Sequence, residues 1–252
     1  MSFFTAFRKE WLEQRRSKKL LIALIVLTLF GMTSPLLAKF TPQLLSMIPG
    51  AAAFSALVPQ PTISDAIGQY VKNIMQFAIL LALLFGMGSV ASEKERGTAA
   101  LVLSKPLPRS TFLLAKAAAQ ALTFLLSIAA AGLACYYYTY ALFGALDPLN
   151  WLALNGLLLF YVLIYVAVTL FFSTLTRTQY VAIGGSFGVL ILLSILASIP
   201  GWAAYLPDGL VSNAVQLMNG NPVSGWQSVW VSLGILIAAL LADCLVFRRQ
   251  EI

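Results

Sequence analysis

The sequence contains no histidine, only two cysteines and few charged residues. Without histidine, the commonest general base and the commonest metal ligand are both absent, which disfavours acid–base catalysis and histidine-held metal centres. Cys135 and Cys244 each lie in an apolar run without CxxC spacing, so they predict neither a disulfide framework nor a zinc site. Charged residues make up 10% of the 252 residues, whereas soluble globular proteins have roughly 25%. This shortage argues against a soluble domain.

Long apolar runs account for the shortage of charge. A membrane-spanning helix needs about 20 mostly apolar residues. Six segments meet this requirement: 20–38, 74–90, 112–143, 151–172, 180–199 and 228–247. We therefore predict an all-α membrane protein with one transmembrane domain over residues 1–252, because no polar linker is long enough to separate a second domain.

The basic residues predict the orientation of these spans. If the N-terminus is cytoplasmic, most of the 16 Lys and Arg side chains fall on the inside: Arg8, Lys9, Arg15, Arg16, Lys18, Lys19, Lys94, Arg96, Lys105, Arg109, Lys116, Arg177, Arg248 and Arg249. Only Lys39 and Lys72 remain outside. The positive-inside rule then places both termini in the cytoplasm. The same distribution disfavours nucleic-acid binding, since the basic residues flank spans and do not form a groove with interleaved aromatics.

Three segments between or before the spans have a distinctive composition. In residues 1–19, Phe3, Phe7 and Trp11 recur every four positions among basic residues, which predicts an amphipathic helix at the membrane interface. Thr62 or Ser64 is a candidate N-cap, with Asp65 in the first turn, and either would start the second helix well before its apolar run. The Gly- and Pro-rich segment 200–227 predicts a re-entrant hairpin before the last span.

The charged segment Ser92–Lys116, which overlaps the predicted coupling loop 91–111, separates the second span from the third. Ser92 followed by Glu95 predicts a capping box, and Gly97 predicts the break that ends the second helix. A short helix would follow and end before Pro106, because a residue that precedes proline avoids the helical region. An apolar centre, a charged rim and fixed ends favour a docking element over a plain linker.

From Glu93 to Lys116 the sequence resembles the first cytoplasmic loop of ABC-2-type permeases, the membrane subunits of ABC transporters. The residues that carry the resemblance are Glu93, Glu95, Gly97, Thr98, Leu103, Ser104, Pro106, Arg109 and Lys116. The six spans, the N-terminal amphipathic helix and the segment before the last span are also similar to that family.

The resemblance implies a coupling helix that docks on a separate ATP-hydrolysing subunit. The implied contact residues are Ser92, Glu93, Lys94, Glu95, Arg96, Gly97, Thr98, Leu101, Leu103, Ser104, Pro106 and Arg109, with Arg177 in a second, smaller contact. By this resemblance the chain is a non-catalytic half-transporter in a prokaryotic inner membrane, driven by ATP and Mg that the partner binds. A second copy or a paralogue would complete it, and a periplasmic accessory protein is compatible with it.

The chain itself has no GxxxxGK[ST] phosphate loop, so we predict no nucleotide or other cofactor bound to it. An ion-coupled secondary transporter is the alternative function, and it is disfavoured because such proteins carry acids or histidines near the midplane. An intramembrane enzyme is also disfavoured, because the chain lacks the histidine and the clustered acids that the usual catalytic arrangements need. The sequence indicates neither the substrate nor the direction of transport.

Two further patterns leave alternatives open. Gly184 and Gly188 form a GxxxG pattern that suits either a seam between two copies or packing within one chain. Asp243 lies in the last span near its predicted cytoplasmic end, where a structural ion pair with Arg248 or Arg249 is favoured over a functional role.

Overall fold

The computed structural model describes residues 2–47, 60–97, 108–223 and 225–250. Over these ranges the secondary structure consists of helices without strands: α1 Phe3–Arg16, α2 Lys19–Ser46, α3 Ile63–Met87, α4 Ala91–Glu95, α5 Arg109–Phe143, α6 Pro148–Leu175, α7 Gln179–Ala197, α8 Asp208–Met218 and α9 Gln227–Arg249. Six helical segments are long and apolar enough to cross a membrane: α2, α3 with α4, α5, α6, α7 and α9. The predicted all-α class and the number of spans are confirmed.

The first span is longer than its predicted range, 20–38, because α2 continues through two prolines to Ser46. Each proline lacks an N–H and leaves one carbonyl of the preceding turn without its helical donor. The residue before each proline supplies another hydrogen bond: Ser34 donates to Phe30 O at 2.5 Å, and Thr41 donates to Leu37 O at 2.6 Å. These hydrogen bonds tie the residue before each proline to the preceding turn, next to the carbonyls of Gly31 and Ala38 that lose their helical donors.

The second helix begins at Ile63, well before the predicted span 74–90. Thr62 is its N-cap and forms a capping box with Asp65, in which the Thr62 N–H donates to Asp65 Oδ2 at 2.8 Å. Such a box satisfies two backbone donors at once, so it fixes where the helix starts. The predicted N-cap at Thr62 is confirmed.

The core of the bundle lies between α3, α5 and α6, whose inward faces contribute most of the buried apolar side chains. Helix α2 approaches α5 closely at Gly31, where a Cβ would lie 2.4 Å from Ala131 O. Only glycine allows this backbone approach. Helices α7 and α9 lie at the periphery and expose most of their apolar side chains.

Helix α8 lies within the segment that the sequence predicts as a re-entrant hairpin. Leu210 and Ala214 bury its apolar face in the core, and the Tyr161 hydroxyl of α6 donates to Asp208 Oδ1 at 3.0 Å. Asn213 donates to Gly225 O at 2.8 Å and so holds the segment just before α9. This segment is therefore packed on the bundle through α6 and held at the residues just before α9.

Candidate functional site at the charged end of the bundle

One end of the bundle carries α1 and α4, the starts of α2, α5 and α7, and the ends of α3, α6 and α9; we call it the charged end. Most of the predicted contact residues lie there within the described ranges: Ser92, Glu93, Lys94, Glu95, Arg96, Gly97, Arg109 and Arg177. Thr98, Leu101, Leu103, Ser104 and Pro106 lie outside the described residues.

Helix α4 is a five-residue helix set off from α3 by a break at Gly88. The predicted capping box at Ser92 is wrong, because Ser92 lies inside α4 and its hydroxyl donates to Gly88 O. The cap comes instead from α6: Ser173 Oγ accepts from the N–H groups of Val90 and Ala91, both at 3.0 Å. A buried hydroxyl of another helix thus satisfies the backbone donors that a local side chain was expected to satisfy.

Gly97 was predicted to end the second helix, but α3 ends at Met87 and Gly97 instead follows α4. Gly97 has a φ of 70°, a left-handed conformation that glycine adopts without steric penalty. Glu95 and Arg96, directly before it, are exposed, whereas Glu93 is half-buried. Helix α4 therefore has one face against the bundle and one face open to solvent.

Lys116 lies 3% exposed on α5 and holds α1 and α4 together. Its ammonium donates to Glu93 Oε1 of α4 at 2.7 Å and to Glu10 Oε2 of α1 at 2.9 Å. Lys9, at the solvent edge, contacts Glu10 Oε1 at 2.8 Å. We call Glu10, Glu93 and Lys116 the ion cluster. Buried charges are tolerated only when they are paired in this way, so the cluster fixes three helices relative to one another.

The ion cluster also determines the ionisation of Glu10. Burial by itself would raise the pKa of the Glu10 carboxyl, but the charges of Lys116 and Lys9, with their hydrogen bonds, lower it below its ordinary value of 4.5. Glu10 is therefore a carboxylate at neutral pH. The charge on α1 that meets Lys116 is permanent under physiological conditions.

Carboxylates near the ion cluster could suggest a metal site, since one oxygen from each of Glu10, Glu13 and Glu93 lies within 4.8 Å of the others. The Lys116 ammonium, however, contacts two of these carboxylates directly, and Lys9 adds a second positive charge. The lysines thus supply the positive charge that a cation would otherwise provide. The arrangement fits a structural ion-pair network better than a metal centre.

Arg109 and Lys94, on either side of residues 98–107, both contact the end of α9. Arg109 donates to the carbonyls of Phe247 at 2.9 Å and Gln250 at 2.6 Å. Lys94 donates to Gln250 Oε1 at 2.5 Å and to the Thr174 carbonyl at the end of α6. Cationic side chains are favoured at helix C-termini because the last carbonyls lack helical donors and carry partial negative charge.

Two other charged residues differ in their surroundings. Arg177 is exposed in the short connection between α6 and α7. Asp243 is 1% exposed on α9, whereas Arg248 and Arg249 are exposed. The cation whose charge reaches Asp243 is Lys94 of α4, so the predicted pairing with Arg248 or Arg249 is not observed.

Sequence reasoning missed Glu10, Ser173 and Gln250. A signal existed for Glu10, because Lys116 lies seven residues into an apolar helix and an intramembrane lysine needs an acidic partner. On α1, every fourth residue is buried, at Ala6, Glu10 and Gln14. This buried row lies beside the row of aromatic residues that the sequence shows. No local signal identifies Ser173 or Gln250.

The chain is similar to known proteins over most of its length. Residues 4–218 match the family described as ABC-2 family transporter protein. The chain is also 28% identical to the Uncharacterized transmembrane protein YxlG of Bacillus subtilis (strain 168), over 97% of this chain and 96% of the relative.

Proposed function

We propose that this chain, which belongs to the ABC-2 family of transporter proteins, is the membrane-spanning permease subunit of an ABC transporter. In this proposal a separate ATPase subunit docks on the charged end and its nucleotide cycle moves the spans, while the chain itself catalyses no reaction and binds no cofactor. The charged end faces the cytoplasm of a prokaryotic cell, α1 lies in the inner leaflet of the inner membrane, and α8 belongs to the re-entrant segment on the other side.

The observation that carries the proposal is the hydrogen bond between Glu93 of α4 and buried Lys116 of α5, at 2.7 Å. It makes α4 a rigid extension of the bundle, because displacing α4 would separate a buried ion pair. A docking element must pass the displacement of its partner to the spans, which requires such a rigid connection. Exposed Glu95 and Arg96 lie on the same short helix and its end, and they are available to a partner.

A pair of double variants tests the docking. The chain is purified with an affinity tag from membranes of its own host, and vanadate-sensitive ATP hydrolysis of the preparation is measured. Glu95→Ala with Arg96→Ala removes two exposed charges of the proposed contact, whereas Arg248→Ala with Arg249→Ala removes two exposed charges at the end of α9 as a matched control.

We expect about tenfold lower co-purified ATPase activity for the first double variant and little change for the control. Thermal unfolding in detergent should be the same for both, since all four side chains are exposed. Equal ATPase activity in the two preparations, or substrate movement in vesicles that follows a proton or sodium gradient without ATP, would contradict the proposal.

A complete transporter requires a second subunit, and α7 is the helix we propose for the contact with a second copy. A Cβ at Gly184 or at Gly188 would meet no atom within 4 Å, so this GxxxG face is open. Gly185 differs, because its Cβ would lie 2.4 Å from the Phe172 ring and it therefore packs within the chain. Small residues on an open face permit close approach of helices in lipid.

Cysteine cross-linking tests this contact. Gly188→Cys should form a disulfide-linked dimer in native membranes on mild oxidation, whereas Leu133→Cys, on an exposed position of α5, should not. A dimer through Leu133→Cys alone would place the seam on α5 and overturn the assignment to α7.

A further inference from the structure

Arg109 and Lys94 lie on opposite sides of residues 98–107, yet both contact the C-terminal end of α9 and Gln250. Arg109 opens α5, Lys94 lies on α4, and both reach the last turn of α9 and Gln250. We call Lys94, Arg109 and Gln250 the terminal clasp. The sequence separation is large, since Phe247 lies 138 positions after Arg109 and Gln250 lies 156 positions after Lys94.

From this geometry we infer that the terminal clasp positions both ends of the loop against α9 and carries displacement of the loop to the last span. The inference rests on the proposed function, because it assigns to α9 a part in the movement that the ATPase partner would drive. It also assigns Gln250, beyond the last span, a positioning role.

Gln250 connects three helices, two through its side-chain amide and one through its backbone carbonyl. Its Oε1 accepts from the Lys94 ammonium at 2.5 Å, and its Nε2 donates to the Thr174 carbonyl at the end of α6 at 3.1 Å. Its own carbonyl accepts from Arg109 at 2.6 Å. An amide that donates and accepts at once can join α4 and α6 to the end of α9, which a purely cationic or purely anionic side chain could not do, while α5 is joined through the backbone carbonyl of Gln250.

The residues around the terminal clasp stabilise the positive charges of Lys94 and Arg109. The Phe247 ring is fully buried and stacks on Phe112, with centroids 5.7 Å apart. The Lys94 ammonium and the Arg109 guanidinium lie 5.8 Å and 5.9 Å from the Phe247 centroid, within the range of cation–π attraction. Asp243, one turn deeper in α9, adds a negative charge that reaches Lys94.

Helix α9 packs on α6 along one side, but most of its apolar surface is exposed. Only 11% of its most apolar stretch is buried, compared with 61% for α6. A weakly packed helix follows the contacts at its ends more readily than a helix held along its whole length. The clasp is therefore the strongest polar connection that we find between the described loop residues and α9.

Hydrogen–deuterium exchange of the full chain in lipid nanodiscs tests whether the clasp exists. Gln250→Ala removes the amide, and Arg249→Ala, at the exposed neighbouring position, is the matched control. We expect backbone amides of residues 91–97 to exchange about tenfold faster in Gln250→Ala than in wild type, because hydrogen bonds to a charged group are lost. The control should be unchanged. Unaltered exchange at residues 91–97 in Gln250→Ala would overturn the clasp.

A second measurement tests whether the clasp carries movement. In the complex purified from host membranes, addition of ATP with vanadate should change the exchange of the last two turns of α9. In Gln250→Ala we expect this change to be lost while ATPase still co-purifies, which a merely stabilising residue would not produce. Arg109→Lys should retain part of the change, since it keeps a cation at the helix end but has fewer donors.

The outcomes separate this inference from the proposed function. An intact nucleotide-dependent change in Gln250→Ala overturns the clasp as the carrier and leaves the permease assignment standing. Failure of any ATPase to co-purify with the wild-type chain overturns the proposed function and the coupling role together. Hydrogen–deuterium exchange of the chain alone in nanodiscs still decides whether the contact between Lys94 and Gln250 exists.

Discussion

The charged end of the bundle is held by two groups of contacts that differ in burial and in chemistry. In the ion cluster, Lys116 is 3% exposed and faces two carboxylates on other helices. In the terminal clasp, half-buried Arg109 binds backbone carbonyls, and half-buried Lys94 binds one carbonyl and an amide. Breaking the first leaves charges stranded in the interior, whereas breaking the second exposes carbonyls that water can reach.

This difference has a mechanical consequence. A group whose contacts cannot be replaced by water resists separation, so the ion cluster keeps α1, α4 and α5 as one unit. Contacts at a solvent-accessible helix end can open and close with a smaller change in free energy. Under the proposed function, the ion cluster would keep the docking end rigid while the terminal clasp permits α9 to move.

Lys116→Met should have the largest effect, because it strands the carboxylates of Glu10 and Glu93 without their buried cation. Removing one partner of a buried ion pair lowers the free energy of unfolding by about 3–5 kcal/mol. Thermal unfolding in detergent, followed by tryptophan fluorescence, measures it. Lys72→Met, at an exposed position of α3, is the control and should unfold like wild type.

A triple variant tests whether Lys116→Met acts through stranded charges or through a general loss of folding. Combining Lys116→Met with Glu10→Gln and Glu93→Gln removes all three charges, and we expect it to recover most of the lost stability, because a neutral cluster has no stranded ion. If the triple variant is no more stable than Lys116→Met alone, the ion cluster does not act through its charges.

Arg109→Ala should have an intermediate effect. It removes hydrogen bonds from a charged donor to the end of α9, which are worth about 1.5–3 kcal/mol, and water can solvate the released carbonyls in part. The same unfolding assay should rank it between Lys116→Met and the exposed Arg248→Ala. A loss as large as that of Lys116→Met would remove the distinction between the two groups of contacts.

Acidification should have the smallest effect, and besides the Asp65 carboxylate in the cap of α3 it should act on Glu10 of the ion cluster. The pKa of Glu10 is lowered in the folded chain, so its contribution to stability is complete well above the ordinary value of 4.5 and is lost as the pH falls through the lower folded value. Unfolding temperatures measured from pH 7 down to pH 3 should therefore fall more steeply in wild type than in Glu10→Gln. Parallel curves would show that Glu10 is not held as a carboxylate by Lys116.

Much of the fold was predictable because its signals are local. Six apolar runs of spanning length, the aromatic row of α1 and the Thr62 cap all depend on residues within a few positions of one another. The extension of α2 beyond residue 38, through Pro42, was not predicted, because proline usually ends a helix and the hydroxyl of Thr41, which bonds back to Leu37 O, is seen only in the structure. The start of α4 was misassigned for a related reason, since its cap comes from Ser173, more than 80 residues away.

The candidate site also has a part that local sequence signals predicted and a part that they did not. The sequence by itself determined that the segment around Glu93 is charged and lies between spans, since hydropathy alone separates it from lipid. Only the tertiary structure decided that Glu93 faces Lys116, that Glu10 completes the pair from 106 residues away, and that Arg109 reaches the end of α9. Apolar length is a property of one segment, whereas the partner of a buried charge is set by which helices pack together.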